Sequence, residues 1–304
     1  METNNHAYHI PVLLRESVNA LLLHQKSVAV DVTFGGGGHA RYMHSFLGKE
    51  GRLYAFDQDE DAHQSSESLP GISMIRGNFK FLKNHLSAVG VKQVDAILAD
   101  IGVSSHQFDV PERGFSFRSN ARLDMRMNRQ APLTAASVLN DYPEEDLLRV
   151  FNSYCDIANV YKLVQRILSL RNSKPFEYTE ELAALCLTVG PKVKAHKYQA
   201  QVFQALRIEV NDEIGALQQF LIEASEVLRP GGRLAVISYH SIEDRLVKSY
   251  FKKGSFSGEI TKDFYGNVLK PFVEVNRHPI VPTEDEIKDN ARARSAKLRI
   301  AEKR

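Results

Sequence analysis

Val28-Ala-Val-Asp-Val-Thr-Phe-Gly-Gly-Gly-Gly-His-Ala40 is the stretch from which the rest of the chain can be read. An alternating, β-branched run leads into four consecutive glycines and then a helical stretch. This predicts a strand, a tight turn and a helix N-terminus. Lacking Cβ atoms, such a turn lets backbone approach a ligand closely. The helix start presents free N–H groups and positive dipole character. The next strand, Gly51-Arg-Leu-Tyr-Ala-Phe-Asp57, ends in an acid. A carboxylate there can accept both hydroxyl hydrogen bonds of a ribose. The combination predicts a nucleoside pocket at the C-terminal edge of a parallel sheet.

Two cofactor classes use this layout. Gly35-x-Gly37-x-x-Ala40 fits the dinucleotide fingerprint, with Asp57 at about the usual ~20-residue distance. Asp31-x-Thr33-x-Gly35-x-Gly37 fits the methyltransferase pattern acid-x-Gly-x-Gly-x-Gly, with Thr33 in place of the first glycine. Asp31 is the useful difference. A carboxylate beneath the loop suits the sulfonium and ammonium groups of S-adenosylmethionine and repels a pyrophosphate. Three later segments point the same way. Val94-Asp-Ala-Ile-Leu-Ala-Asp100 is an apolar fourth strand ending in an acid. Leu228-Arg-Pro-Gly-Gly-Arg-Leu-Ala-Val-Ile-Ser238 reads as a helix end, a Pro-Gly-Gly turn and a buried fifth strand. Phe272-Val-Glu-Val-Asn276 and Lys297-Leu-Arg-Ile-Ala301 read as two terminal strands, the antiparallel hairpin that ends a methyltransferase sheet.

Composition sets the outer limits. Hydrophobic residues make up 43%, ordinary for a soluble globular chain. No apolar run approaches the ~18 residues of a membrane span, and no signal pattern opens the chain. Cys155 and Cys186 sit in apolar helical settings and suggest no disulfide framework. A cytoplasmic protein is expected. The net charge of +2 does not announce nucleic acid. Local charge is more telling. Residues 111–130 hold Arg113, Arg118, Arg122, Arg126 and Arg129 against Glu112 and Asp124. Residues 288–304 hold Lys288, Arg292, Arg294, Lys297, Arg299, Lys303 and Arg304 against Asp289 and Glu302. Arginine suits bidentate phosphate contact, although either cluster alone also reads as a solvated surface.

Strand-helix alternation runs from about residue 10 to 102, with an amphipathic helix over 11–24, its apolar side formed by Val12, Leu13, Val18, Leu21 and Leu22, and strands near 28–33, 51–57, 71–76 and 94–100. From about 105 to 205 only helical runs are convincing: 133–139, 143–151, 157–170, 179–187 and 198–209. A long helix to Leu228 then returns to the sheet. The expected fold class is α/β: a Rossmann-like class I methyltransferase sheet, mostly parallel with an antiparallel last strand, carrying an inserted all-helical domain. The expected boundaries are 1–104 and 206–304 for the cofactor domain and 105–205 for the substrate-recognition insertion. An insertion after strand four emerges at the ligand-binding edge. Its entry mixes arginines with Phe115 and Phe117. That mixture reads either as phosphate and base contacts or as a loop burying two rings.

At this level of detail the residues resemble a known family. Asp31-Val-Thr-Phe-Gly-Gly-Gly-Gly-His39, Leu98-Ala-Asp-Ile-Gly-Val-Ser-Ser-His-Gln-Phe108, Glu112-Arg-Gly-Phe-Ser-Phe117, Leu123-Asp-Met-Arg-Met127, Ser238-Tyr-His-Ser-Ile-Glu-Asp-Arg245 and Ala291-Arg-Ala-Arg-Ser-Ala-Lys297 appear in order. Together they resemble the MraW family of small-subunit ribosomal RNA methyltransferases, from Tyr8-His-Ile-Pro to the end of the chain. The resemblance implies methylation of N4 of a cytidine in the decoding region of bacterial 16S ribosomal RNA, with S-adenosylmethionine as donor. It implies 16S RNA or the small ribosomal subunit as partner, no membrane, and leaves a homodimer open. It also implies cofactor contacts at Gly37, Gly38, His39 and Asp57, with Phe79 beside the adenine and Asp100 and Gln107 closing the site.

The chemistry narrows the catalytic candidates. Cytosine's exocyclic amine delocalises its lone pair into the ring. An acceptor for its N–H localises that pair, and Asp100 is the first candidate, followed by Ser104, Ser105 and His240. Asp100-Ile-Gly-Val103 stands where many DNA amino-methyltransferases carry acid-Pro-Pro-aromatic. Methylation at C5 needs a nucleophilic cysteine, and both cysteines read as core residues. His240-Ser-Ile-Glu-Asp244 reads as substrate-site lining and as a helix cap with Ser241 as N-cap. Arg113, Phe115, Arg118, Arg126 and Arg294 are the candidate RNA contacts. No spacing suggests a structural zinc site. The competing readings are a nicotinamide-dependent oxidoreductase and a non-catalytic RNA-binding ribosome assembly factor.

Overall fold

The computed structural model describes residues 11–62 and 71–304. Tyr8 to Ile10, where the resemblance begins, lie outside the described residues. The chain divides into two compact units, Met1–Gly102 with Gly215–Arg304, and Val103–Ile214.

The first unit is built on a seven-stranded sheet. Its strands are β1 Val28–Asp31, β2 Arg52–Asp57, β3 Ile72–Arg76, β4 Val94–Asp100, β5 Leu228–Ser238, β6 Phe272–Glu274 and β7 Lys297–Lys303. The order is β3-β2-β1-β4-β5-β7-β6. The first five strands pair in parallel, and β7 runs antiparallel to both β5 and β6. The chain leaves β1 toward β2 on one side and returns as β4 on the other. That reversal is a topological switch point, and ligands bind outside the carboxyl ends of such strands.

Alternation along the strands feeds two apolar layers. Val30, Tyr54, Phe56, Ile97 and Ala99 face one layer with Leu217, Phe220, Leu221 and Phe251. Ala29, Leu53, Ala55, Ala96 and Leu98 face the other with Val18, Met43 and Ala293. Near-continuous apolar runs in β1, β2 and β4 follow from burial on both faces.

Several local expectations shift. The first helix covers only Leu14–Asn19. Leu13 and Leu22 take left-handed φ values of 51° and 52°, and Leu22 is exposed rather than part of the apolar face. The Pro-Gly-Gly segment does not separate a helix from the fifth strand. The helix ends at Val227 and β5 begins at Leu228. The pairing then jumps from Val94↔Leu228 to Ala96↔Arg233, so Arg229 to Gly232 bulge out of the ladder. Proline cannot donate to a ladder and Gly231 holds φ +80°, so a bulge is where this tripeptide fits.

The second unit is helical: Ser105–Asp109, Ala135–Asp141, Glu144–Tyr154, Val160–Arg171, Thr179–Val189 and Ala195–Asn211. Its core includes Phe115, Leu139, Phe151, Val164, Leu182 and Leu206. Among the described residues no helix is long and apolar enough to cross a membrane.

Candidate active site

Three strands that meet at one edge, β1, β2 and β4, all end in aspartate: Asp31, Asp57 and Asp100. The glycine loop lies between the first and the helix Gly38–His44. Gly35 and Gly37 hold positive φ of 50° and 73°, which L side chains rarely adopt. A Cβ on Gly37 would also sit 2.6 Å from the Phe34 ring, and one on Gly38 would collide with Pro11.

Asp57 fixes the loop to the sheet. Its Oδ2 accepts the Gly35 N–H at 2.8 Å, and its Oδ1 accepts the Asp59 N–H at 2.8 Å. Phe79 follows β3 at the same edge, half-buried, with its ring edge-on to Phe220 at 5.4 Å.

Thr33, the departure from the glycine pattern, has its own work. Its hydroxyl accepts the Asp100 N–H at 2.7 Å, and its N–H donates to Asp31 Oδ1 at 3.1 Å. The residue therefore ties the ends of β1 and β4 together across the switch point. Thr33→Val keeps the shape and strands the Asp100 N–H. We expect it to cost about 1–3 kcal/mol, read as a lowered urea midpoint at unchanged slope. An unchanged midpoint would remove Thr33 from this role.

Asp31 is fully buried, and its second oxygen, Oδ2, has no hydrogen-bond partner. Burial pushes its carboxyl up to about 6, opposed by His39 and the Thr33 bond. His39 is 5% exposed, and burial holds its imidazole below the ordinary range. Its Nε2 lies 3.0 Å from the Val12 carbonyl, so Nε2 carries the proton. Its Nδ1 then faces Asp100 Oδ2 at 3.8 Å.

Asp100 accepts the Tyr239 hydroxyl on Oδ1 at 2.7 Å. Burial pushes the carboxyl up to about 7, the Tyr239 bond lowering it and Glu243 raising it further. About 22% of the side chain stays accessible, so a substrate atom can still reach it. Tyr239 was not singled out from sequence. It lies 139 residues from Asp100, and only the pairing of β4 with β5 joins them. Its signal was the position directly after β5. Gly102, at φ +135°, passes close to the Tyr239 ring, which a Cβ would touch at 3.3 Å.

His240, not Ser241, is the N-cap of the helix Ser241–Lys253. Its Nδ1 accepts the Glu243 N–H at 3.4 Å, and Glu243 Oε2 accepts the N–H groups of Tyr239 and His240. An imidazole lone pair serves the cap as a hydroxyl would. Glu243 thereby orients Tyr239, the partner of Asp100.

The other candidates lie in the second unit or on the surface. Ser104 and Gln107 cap each other at the start of Ser105–Asp109. The Ser105 side chain lies outside the described residues. Phe115 is 5% exposed, within its own core, so packing occupies its ring. Arg113 is buried and donates to the carbonyls of Arg126 and Met127. Arg126 forms a bidentate pair with Asp124 at 2.7–2.8 Å. These two arginines hold the entry loop of the unit. Arg118 and Arg294 are exposed. Cys155 and Cys186 are free thiols that burial pushes up to about 12.

Asp31, with one buried oxygen unpartnered, and Asp100, both raised by burial, describe an edge short of positive charge. A ligand bearing a sulfonium and an ammonium fits that deficit, and a pyrophosphate would worsen it. Sheet order, glycine loop and acidic strand ends together define a Rossmann-like class I methyltransferase. The profile of the MraW methylase family matches residues 6–304, and the chain belongs to that family. It is similar to "Ribosomal RNA small subunit methyltransferase H" of Christiangramia forsetii, 51% identical over 97% of this chain and 98% of that protein. The protein of the same name from Bacteroides fragilis is 50% identical over the full length of both chains. Among solved structures, the "putative rRNA-methylase" of Clostridium thermocellum matches with a TM-score of 0.46 and 12% identity, over 97% of this chain and 99% of that one.

Proposed function

We propose that the chain transfers a methyl group from S-adenosylmethionine to N4 of a cytidine in the decoding region of bacterial 16S ribosomal RNA. The observation that carries this reading is Asp100: a partly accessible carboxylate at the switch point, oriented by Tyr239 and raised to about 7. The name that the relatives carry supports the small-subunit RNA substrate.

When bound, S-adenosylmethionine supplies an electrophilic methyl group on a sulfonium that departs as a neutral thioether. Gly37, Gly38 and His39 would line its amino-acid end, Asp57 its ribose and Phe79 its adenine. Asp31 contributes negative charge beneath the loop. Asp100 Oδ2, the oxygen not taken by Tyr239, accepts the N–H of the cytosine amine. The bond localises the nitrogen lone pair toward the methyl group and holds the amine in line, which is the larger share of such catalysis. The proton that the amine must lose passes to the same oxygen, whose raised affinity suits it to receive one. Exposed arginines, Arg118 in the second unit and Arg294 in the first, hold RNA phosphates.

Asp100 acts as the carboxylate, so its protonation sets a pH dependence. With RNA and donor saturating, the single-turnover rate is expected to rise with pH through about 7 and then level. A profile flat across that value would place the acceptor elsewhere. The reading as a whole is tested by incubating the purified chain with small-subunit RNA and methyl-labelled S-adenosylmethionine. Label in the RNA is expected. NAD binding by calorimetry, or RNA binding without label, would favour the oxidoreductase or the assembly factor instead.

A further inference from the structure

We propose that the tip of the hairpin at residues 261–269 is a stacking platform for an unpaired base of the RNA substrate. The proposal rests on the RNA reading above.

Phe264 and Tyr265 sit side by side at this tip and are 98% and 86% exposed. Their rings meet edge to face at 5.7 Å, which leaves ring faces open to solvent. Chain disorder does not explain the exposure, because the turn beneath them is closely bonded. Lys262 bridges Val268, and the Leu269 N–H donates to the Thr261 carbonyl at 2.8 Å. Asp263 Oδ1 accepts the N–H groups of Tyr265 and Asn267, and its Oδ2 accepts the Asn267 side-chain amide. Those bonds hold its carboxyl below the ordinary range. The base of the hairpin is anchored as well. A Cβ on Gly254 would lie 2.8 Å from the Leu269 carbonyl, and Arg304 donates to the Val268 carbonyl at 3.3 Å.

A fold gains nothing from holding two aromatic rings in water. An exposed aromatic pair on a hydrogen-bonded turn is the kind of surface on which unstacked bases are held. The surroundings favour RNA over an apolar partner surface. Lys252 and Lys262 are exposed, and Lys253, Lys270 and Arg304 lie along the same hairpin and helix end, against Glu259 and the turn-bound Asp263.

The chain contains no tryptophan, so Phe264→Trp installs a single emitter at the tip. The full-length variant is titrated with a dye-labelled single-stranded oligocytidine while RNA anisotropy and tryptophan emission are followed together. Emission is expected to be quenched in step with the anisotropy, and a duplex of equal length is expected to leave it unquenched. Phe264→Ala with Tyr265→Ala is expected to weaken oligocytidine binding roughly ten- to a hundredfold. The KM for small-subunit RNA should rise while kcat holds, and Phe264→Tyr should retain affinity. Emission that stays at its RNA-free value, whether or not the anisotropy moves, overturns the platform. So does wild-type affinity in the double variant. Wild-type methyl transfer to small-subunit RNA is measured alongside: its absence sinks the functional reading, whereas its presence with an unresponsive tip sinks only the platform.

Discussion

Asp100→Asn is expected to lower the methyl-transfer rate by about 10²–10⁴-fold, the range for losing a positioned proton acceptor, while the chain folds normally. The amide keeps the shape and can still accept the Tyr239 hydroxyl through its carbonyl oxygen. It cannot offer a negative charge to the cytosine amine or take its proton. Stability separates this from damage to the fold. The Asp100 carboxyl is held near 7 in the folded chain against an ordinary value of 3.8. Between those values the folded chain binds more protons than the unfolded one, so this group's contribution to stability falls as pH rises across that window. Above about 7 the folded chain carries a partly desolvated charge that asparagine lacks. The variant should therefore melt at or above the wild-type temperature near pH 8. Wild-type turnover in Asp100→Asn would contradict the assigned role, and a variant that melts far lower would show that Asp100 is chiefly structural.

Asp57→Ala is expected to weaken S-adenosylmethionine binding by about ten- to a hundredfold, the worth of charge-assisted hydrogen bonds of roughly 1.5–3 kcal/mol. The geometry adds a second loss, since the same carboxylate holds the Gly35 and Asp59 N–H groups. The two losses read out differently. Release of the loop lowers the unfolding midpoint without ligand, and loss of the ribose contact lowers calorimetric affinity. A lowered midpoint with unchanged affinity would leave Asp57 a loop anchor and remove it from the ribose.

Much of this site was legible because its parts are local in sequence. Asp31, Asp57 and Asp100 each close an apolar run, and the glycine loop follows the first of them. Burial on both faces writes such strands as continuous apolar segments, so their ends are marked by the first polar residue. The antiparallel β7 was similarly visible. What escaped depends on partners far along the chain. Tyr239 matters because β5 lies beside β4, which no local pattern states. Thr33 counted as a defect in a glycine pattern until its hydroxyl was seen to meet the Asp100 N–H. The charge of its neighbours makes Arg113 read as a phosphate ligand, yet two carbonyls of its own loop capture it. Cap chemistry was misassigned by one residue, because histidine accepts through a ring nitrogen where serine was the habitual choice. Leu22 matched the helical period, but the helix had already ended at Asn19.

The central claim is that Asp100 directs a methyl group to an exocyclic amine without a covalent enzyme–RNA intermediate. The nucleoside formed tests it most directly. Small-subunit RNA treated with the purified chain and S-adenosylmethionine is digested to nucleosides and resolved by mass spectrometry against N4-methylcytidine and 5-methylcytidine standards. N4-methylcytidine is expected, formed equally by the Cys155→Ser, Cys186→Ser double variant, since both thiols are pushed up to about 12 and supply no thiolate. Appearance of 5-methylcytidine, or of a ribose-methylated nucleoside, would contradict the account even with S-adenosylmethionine as the donor.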